Sequence, residues 1–359
     1  MLTNLISWES VELWRVGGGA LLGIVFGLLV QRSRFCMLAA VTNLVLMHDF
    51  RQLYAYVAAV AVAIAGAQLL EATGVVELAA SSYRGARVDW AGALGGGLIF
   101  GFGTVLAGGC VGRILVRAAE GNLGAWLVLL VCAVTAAVVV GGPLAPLRLW
   151  LFETTAVQLP DGGVSLAELL GLPRGLIVAL ATVAALVIFA FVGRATRSGA
   201  LIAAGAAIGG LVVAGWWITG QLAQDEFSIA VARPVSLGFA GPMAQIAVAT
   251  TGGGSSYLFG TALLVGVLFG SAASALLTRS FHWTVPQASQ LHRLLVGGSF
   301  MGIGAMLAGG CNIGLGLSGL STCSVSAILA VAAIFLGMRF GLVWLQYAER
   351  SGPTVTVHA

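Results

Sequence analysis

Gly96-Gly97-Leu98-Ile99-Phe100-Gly101-Phe102-Gly103-Thr104-Val105-Leu106-Ala107-Gly108-Gly109-Cys110 decides the fold, because the chain carries it twice. Residues 297–311 align with it at an offset of 201, and nine of the fifteen positions are identical. These are 96/297, 97/298, 101/302, 103/304 and the whole run 106–110/307–311. Each copy is followed by a second Gly-bearing stretch and another apolar segment. Self-similarity of this kind marks an internal repeat of about half the chain.

Both copies lie in windows without Asp, Glu, Lys or Arg, and such windows recur along the 359 residues. The chain is 59% hydrophobic and only 8% charged, with mean hydropathy +1.02. Soluble domains carry about a quarter charged residues. A water-facing surface cannot be built from so few, so lipid is the solvent for most of the exterior. A spanning helix needs roughly 20 apolar residues. By that measure the sequence predicts an all-α polytopic membrane protein of about nine transmembrane helices. They lie near 14–31, 53–71, 90–109, 122–142, 174–194, 199–220, 257–278, 291–310 and 321–339. Two further apolar segments are too short or too broken to cross. Residues 35–47 offer only 13 positions, and 234–252 carries Pro234, Gly238, Gly241, Pro242 and Gly252. Both read as re-entrant, a form tolerated at membrane depth only inside protein or along a cavity.

The two copies fall in the third and eighth spans. These are an odd number of crossings apart, so the copies run in opposite directions. The expected architecture is an inverted internal repeat with pseudo-two-fold symmetry, in one transmembrane domain over 1–359. Its parts are a first repeat at 14–142, a second at 199–339, and a connection at 143–198 holding one additional span. Inverted repeats with broken helices near the midplane describe many secondary transporters, with sites at the repeat interface. Some channels share the plan. Gly19, Gly23 and Gly27 in the first span, and Gly266, Gly270 and Ser274 in the seventh, have the four-residue spacing that lets helix backbones touch in lipid. Packing alone accounts for most of the 52 glycines.

Charge sets the expected orientation. All 17 basic residues are Arg. Eleven fall on one side with three acids, and six on the other with ten acids. The Arg-rich side is read as cytoplasmic, which puts the N-terminus outside and the C-terminus inside the bacterial inner membrane. Counting 234–252 as a span would cancel the bias. Glu9 and Glu12 precede Arg15, so no basic leader of a cleavable signal is visible. The net charge of +4 is an ordinary membrane-protein excess and implies no nucleic-acid partner. The longest polar connection, 148–173, is too short to bury a soluble core.

Five cysteines are present: Cys36, Cys110, Cys132, Cys311 and Cys323. There is no CxxC and no Cys/His pair at zinc spacing, so neither a metal nor a cofactor is expected. Cys132 and Cys323 read as small buried hydrophobes. Cys110 and Cys311 each follow Ala-Gly-Gly at the end of a repeat helix. The glycine pairs Gly108-Gly109 and Gly309-Gly310 allow a sharp turn or close backbone approach. Polar groups beside broken intramembrane helices mark pathways.

Three segments carry a resemblance: Gln31-Arg32-Ser33-Arg34-Phe35-Cys36; Ala107-Gly108-Gly109-Cys110 with Arg117-Ala118-Ala119-Glu120-Gly121; and Gly309-Gly310-Cys311-Asn312-Ile313-Gly314-Leu315-Gly316-Leu317-Ser318-Gly319-Leu320. In this order they resemble the signature regions of the YeeE/YedE sulphur-transport family. The resemblance implies bacterial uptake of thiosulfate or a related small sulphur-containing anion. It also implies contact between that ion and the thiols of Cys36, Cys110 and Cys311 along a narrow central path, with Asn312 beside the third. Asn312 stands where relatives often have Thr, Leu315 where they often have His, and Arg113 where a smaller residue is common. These departures leave the exact ion open, selenium compounds included. The residues themselves suit an anion with a soft end. Broken helix N-termini offer N–H donors, and a polarizable thiol suits a terminal sulphur. Arg32, Arg34, Arg113 and Arg117 form a cytoplasmic rim that would attract the anion as it emerges, although topology alone explains most of them. The lipid bilayer is the other partner, and a soluble cytoplasmic sulphur-carrier protein is left open. An enzyme is not expected. The competing readings are a channel for another small anion, a thiol-dependent membrane redox protein, which the missing CxxC disfavours, and a scaffold subunit.

Overall fold

The computed structural model describes residues 8–85, 87–158, 165, 171, 173–187, 199–223, 233–249 and 258–351. The first half comprises α1 (Trp8–Ser33), α2 (Met37–Thr42, continued by a π-helical turn Asn43–Met47), α3 (Arg51–Ala72), α4 (Gly97–Ala107, led in by a π-helical turn Gly92–Gly96), α5 (Val111–Ala119) and α6 (Leu123–Val140). The connection holds α7 (Ala145–Thr155) and α8 (Arg174–Val187). The second half comprises α9 (Gly199–Ala223), α10 (Ala240–Ala249), α11 (Leu258–Leu277), α12 (Ala288–Ala308), a π-helical turn Gly314–Gly319 and α13 (Val325–Ser351). A short ribbon pairs β1 (Arg87–Asp89) antiparallel to β2 (Ala156–Gln158).

Eight helices among the described residues are long and apolar enough to cross a membrane. The chain is thus an all-α polytopic membrane protein. The eight cover every expected span except 174–194, where α8 is described over 14 residues and 188–194 lie outside the described residues. The last helix starts later than expected, after a turn at Thr322–Cys323, and runs on to Ser351. The two segments read as re-entrant are short helices, six residues plus a five-residue π turn in one and ten residues in the other. Neither is long enough to cross alone; residues 250–252 lie outside the described residues.

Glycine decides which helices touch. β-Carbons at Gly19, Gly23 and Gly27 would meet the backbone of Phe259, Leu263 and Val267, and those at Gly266 and Gly270 the backbone of Ala20 and Ile24. Helices α1 and α11 therefore lie parallel, backbone on backbone, as small residues at four-residue spacing permit. Gly205 and Gly209 of α9 meet Ala55 and Ala59 of α3 in the same parallel sense. The repeat helices α4 and α12 cross antiparallel. A β-carbon at Gly96 would meet the amide of Ala308, and one at Gly297 the amide of Ala107. Gly103 faces Met301 as Gly304 faces Phe100. Outside this pair, α13 packs on α4 at Gly97 and Gly101, and α6 packs on α12 at Gly298 and Gly302. In lipid, van der Waals contact of this kind replaces the hydrophobic force that would drive helices together in water.

The connections gather at two ends. At one, Gln31 donates to Ser280 Oγ at 3.0 Å, His282 N–H to Glu120 O at 3.2 Å, and Leu123 N–H to Thr284 O at 3.0 Å. At the other, β1 pairs β2, Thr219 Oγ donates to Val235 O at 2.5 Å, and Arg84 donates to Thr322 O at 2.6 Å.

Candidate functional site

The two Ala-Gly-Gly-Cys runs fold alike. Helix α4 ends as Gly108 turns left-handed at φ 74°, and α12 ends as Gly309 does so at φ 85°. This is the usual place for glycine at a helix C-terminus, since a β-carbon is strained there. The next amide returns to the helix in both copies: Gly109 N–H to Thr104 O at 3.0 Å, Gly310 N–H to Ala305 O at 2.8 Å. The second glycine lets the following turn close in, so that Ile114 packs over Gly109 and Leu315 over Gly310. Each cysteine then opens a new helical segment. Cys110 O accepts from Ile114 N–H at 2.9 Å, and Cys311 O from Leu315 N–H at 2.7 Å. Cys36 opens α2 in the same way, from an extended conformation.

These breaks bring the three cysteines into one buried region. The sulphur atoms of Cys36 and Cys110 are 3.5 Å apart. Cys311 Sγ accepts from Gly314 N–H at 3.4 Å. Asn312, fully buried, stands between the groups: its carbonyl accepts from the Tyr56 hydroxyl at 3.3 Å, and its side chain faces Cys110 within electrostatic range. Neither polar atom of the Asn312 amide has a well-formed hydrogen bond among the described residues, although the Cys110 thiol lies within reach of a weak one. A buried amide left without a full hydrogen bond costs about 1–3 kcal/mol. The walls are apolar. Phe35 stacks on Tyr56 with centroids 5.8 Å apart, and Phe26 and Phe239 meet at 5.1 Å over Gly112, whose missing side chain leaves room for them and for Ile313.

The four arginines divide. Arg113 and Arg117 sit on α5, one to two turns after Cys110, and Arg117 donates to Gly108 O at 3.1 Å. Glu120 lies 3.8 Å from Arg113 and is the one acid paired in this group. Arg32, in the last turn of α1, and Arg34, just after its end, are exposed. Cys132 is buried in mid-helix on α6, with its carbonyl against Gly302, and Cys323 lies in the turn before α13. Among the described residues no group of His, Cys, Asp or Glu could hold a metal.

Several polar residues of this region carry no signal in the sequence analysis. Tyr56, buried, reaches Asn312 from α3. Gln68 and Trp216 both hold Ser321, at 3.0 and 2.9 Å, and Ser318 holds Leu237 O at 2.7 Å. Polar side chains within apolar spans were the available clue to Gln68 and Tyr56.

A family model described as sulphur transport matches residues 32–340. The chain belongs to the sulphur transport family. It is 28% identical over 343 residues to the thiosulfate transporter TsuA of Escherichia coli, covering 92% of this chain and 94% of the relative. It is 26% identical over 342 residues to the protein of the same name from Spirochaeta thermophila, covering 92% of this chain and 98% of the relative. A shorter match, 32% identical over 130 residues, is to the probable transporter YedE of Salmonella typhimurium, covering 35% of this chain and 30% of that one. These relatives are named as transporters and not as enzymes. The match spans all three cysteines and Asn312.

Proposed function

We propose that this protein imports thiosulfate, or a closely related small sulphur anion, across the bacterial inner membrane along a central path past Cys311, Asn312, Cys110 and Cys36. The observation that carries the reading is the gathering of three thiols and an amide with no well-formed hydrogen bond inside one apolar shell. Thiosulfate has a soft terminal sulphur and a hard oxyanion end. Thiols are weak, polarizable hydrogen-bond partners for the first. The Asn312 amide and the uncapped first turn of α5 offer N–H donors to the second. Weak contacts in series hold an ion well enough to enter and loosely enough to leave. Gly108, Gly109, Gly309 and Gly310 shape the two breaks. Arg113 and Arg117 receive the ion at the cytoplasmic side, and a soluble sulphur carrier would take it there.

The path lies between two inverted halves, 14–142 and 199–339, related by a pseudo-two-fold axis between α4 and α12. The reciprocal contacts support this. Shifting Gly96–Ala308 by the repeat offset gives Gly297–Ala107, and Gly103–Met301 gives Gly304–Phe100. The packing of α1 on α11 likewise corresponds to that of α9 on α3. Helices α2 and α10 are the matching re-entrant pair. A ninth crossing at α8 is supported by the chain's path. Gln158 lies at one end, and α9 starts at the other, alongside the start of α3.

The test is growth of a bacterium lacking sulphur uptake, supplied with single sulphur sources and this gene. Rescue on thiosulfate is expected. No rescue on thiosulfate, with rescue on another sulphur or selenium source, would replace the substrate.

A further inference from the structure

Tyr83 lies in the connection between α3 and α4, outside every crossing helix, yet it reaches the thiol region. A β-carbon placed on Gly314 would lie 3.2 Å from the Tyr83 hydroxyl and 3.8 Å from Cys311 Sγ. One placed on Gly238 would lie 3.6 Å from the same hydroxyl. Two glycines from different segments therefore let the phenol hydroxyl and the Cys311 thiol come up to the same spot on the backbone of Gly314. The ring is set edge-on against Trp216, with centroids 6.2 Å apart, and its flank lies over Gly319. Its hydroxyl makes no hydrogen bond to a described residue, and burial raises the phenol pKa, so it is a neutral donor.

The backbone that carries Tyr83 is fixed more firmly than a loop requires. Ser324 Oγ donates to Tyr83 O at 2.6 Å. The next residue, Arg84, is buried and makes a two-pronged pair with Glu71, at 2.6 and 3.0 Å, while its Nε donates to Thr322 O at 2.6 Å. Arg84 and Glu71 side chains are 1% and 6% exposed. A desolvated pair of this kind adds little net stability but fixes geometry closely. What it fixes is the phenol against Gly314, beside Cys311.

We propose that Tyr83 is a substrate-binding residue at the outer end of the path. Its hydroxyl donates to an oxygen of the incoming anion while Cys311 faces the terminal sulphur, and the Arg84–Glu71 pair is the positioning element behind it. The proposal rests on the thiosulfate reading above. It selects for anions that present an oxygen and a sulphur at once, over sulphide, which has no oxygen, and sulfate, which has no soft end.

The experiment is uptake of labelled thiosulfate by cells or proteoliposomes holding the full chain or Tyr83→Phe. The substitution keeps the ring and removes one oxygen, so membrane levels stay equal. The expected result is a KM higher by about five-fold with maximal rate within about two-fold, the loss of one neutral hydrogen bond. Gly314→Ala, which puts a methyl 3.2 Å from the Tyr83 hydroxyl and 3.8 Å from Cys311 Sγ, raises KM further, and unlabelled sulfate competes no better in either variant. A parental KM in Tyr83→Phe overturns the role of Tyr83 and leaves the thiosulfate reading standing. No uptake by the parent overturns both.

Discussion

At the residue scale the thiols and the amide do different work, and substitution separates them. Cys110→Ala or Cys311→Ala removes one buried polarizable atom from the path, and Cys36→Ala removes the sulphur 3.5 Å from Cys110. Each is expected to abolish or strongly reduce thiosulfate-dependent growth at normal membrane level. Cys132→Ala, in the middle of α6 with its carbonyl against Gly302, is expected to be nearly silent. Parental growth with Cys110→Ala and Cys311→Ala would sink the thiol path. Asn312 predicts a trade-off. Its amide has no well-formed hydrogen bond within the protein, so Asn312→Leu is expected to raise unfolding temperature in detergent, by about 1 kcal/mol of stability, while uptake falls. Lower stability with normal uptake would mean that the amide serves packing. Cys110 and Cys311 stand out in the sequence because duplication placed the same Gly-Gly-Cys run at two helix ends, whereas Asn312 aligns with Val111 in the other copy. Tyr56 and Tyr83 were not legible. A tyrosine near the end of a span is ordinary at a membrane interface, and only the tertiary fold brings Tyr56 to Asn312, 256 positions away.

At the element scale, the crossing helices were readable because lipid demands long charge-free windows, a far stronger constraint than helix propensity. The breaks were harder. Helix α5 carries Arg113 and Arg117 within nine residues and lies between two expected spans, yet it folds as a helix with seven of its residues buried. Its strong amphipathicity was the missed signal. The β1–β2 ribbon escaped notice because three-residue strands leave no periodicity to read. The connection that carries β1 also carries Arg84, paired with Glu71 at the end of α3, and it gives a test of element geometry. Breaking one side of a buried pair leaves a bare charge, at a cost of about 3–5 kcal/mol, whereas replacing both with apolar residues can be neutral. Glu71→Leu alone is therefore expected to lower the detergent unfolding temperature markedly, and Glu71→Leu with Arg84→Met to recover most of it. Uptake should stay impaired in the double variant, because the fixed strap behind Tyr83 is gone. Recovery of KM along with stability would show that the pair serves folding only.

At the scale of the whole molecule, two separate lines of reasoning converge on one topology. Arginine counting places 32, 34, 51, 113, 117, 279 and 293 on one side, from sequence alone. The hydrogen bonds tie the connections at 31, 120–123 and 280–284 into one end, and those at 83–84, 156–158, 219–235 and 322–324 into the other. The partition is the same, although neither argument uses the other's input. Helix α4 runs away from the second group and α12 runs towards it, with reciprocal glycine contacts where they cross, which supports the proposed inversion. The prediction concerns which end faces the cytoplasm. A reporter active only in the periplasm is expected to stay silent when fused after Ala359 and to be active when fused after Gly142, between α6 and α7. An active fusion after Ala359 would require an even number of crossings or the opposite orientation. The fusion after Gly142 tells these apart. If it is also active, a crossing is missing between residues 143 and 359, and the assignment of α8 fails first. If it is silent, the whole molecule is turned over, and Tyr83 would then face the cytoplasm, at the exit for an imported ion.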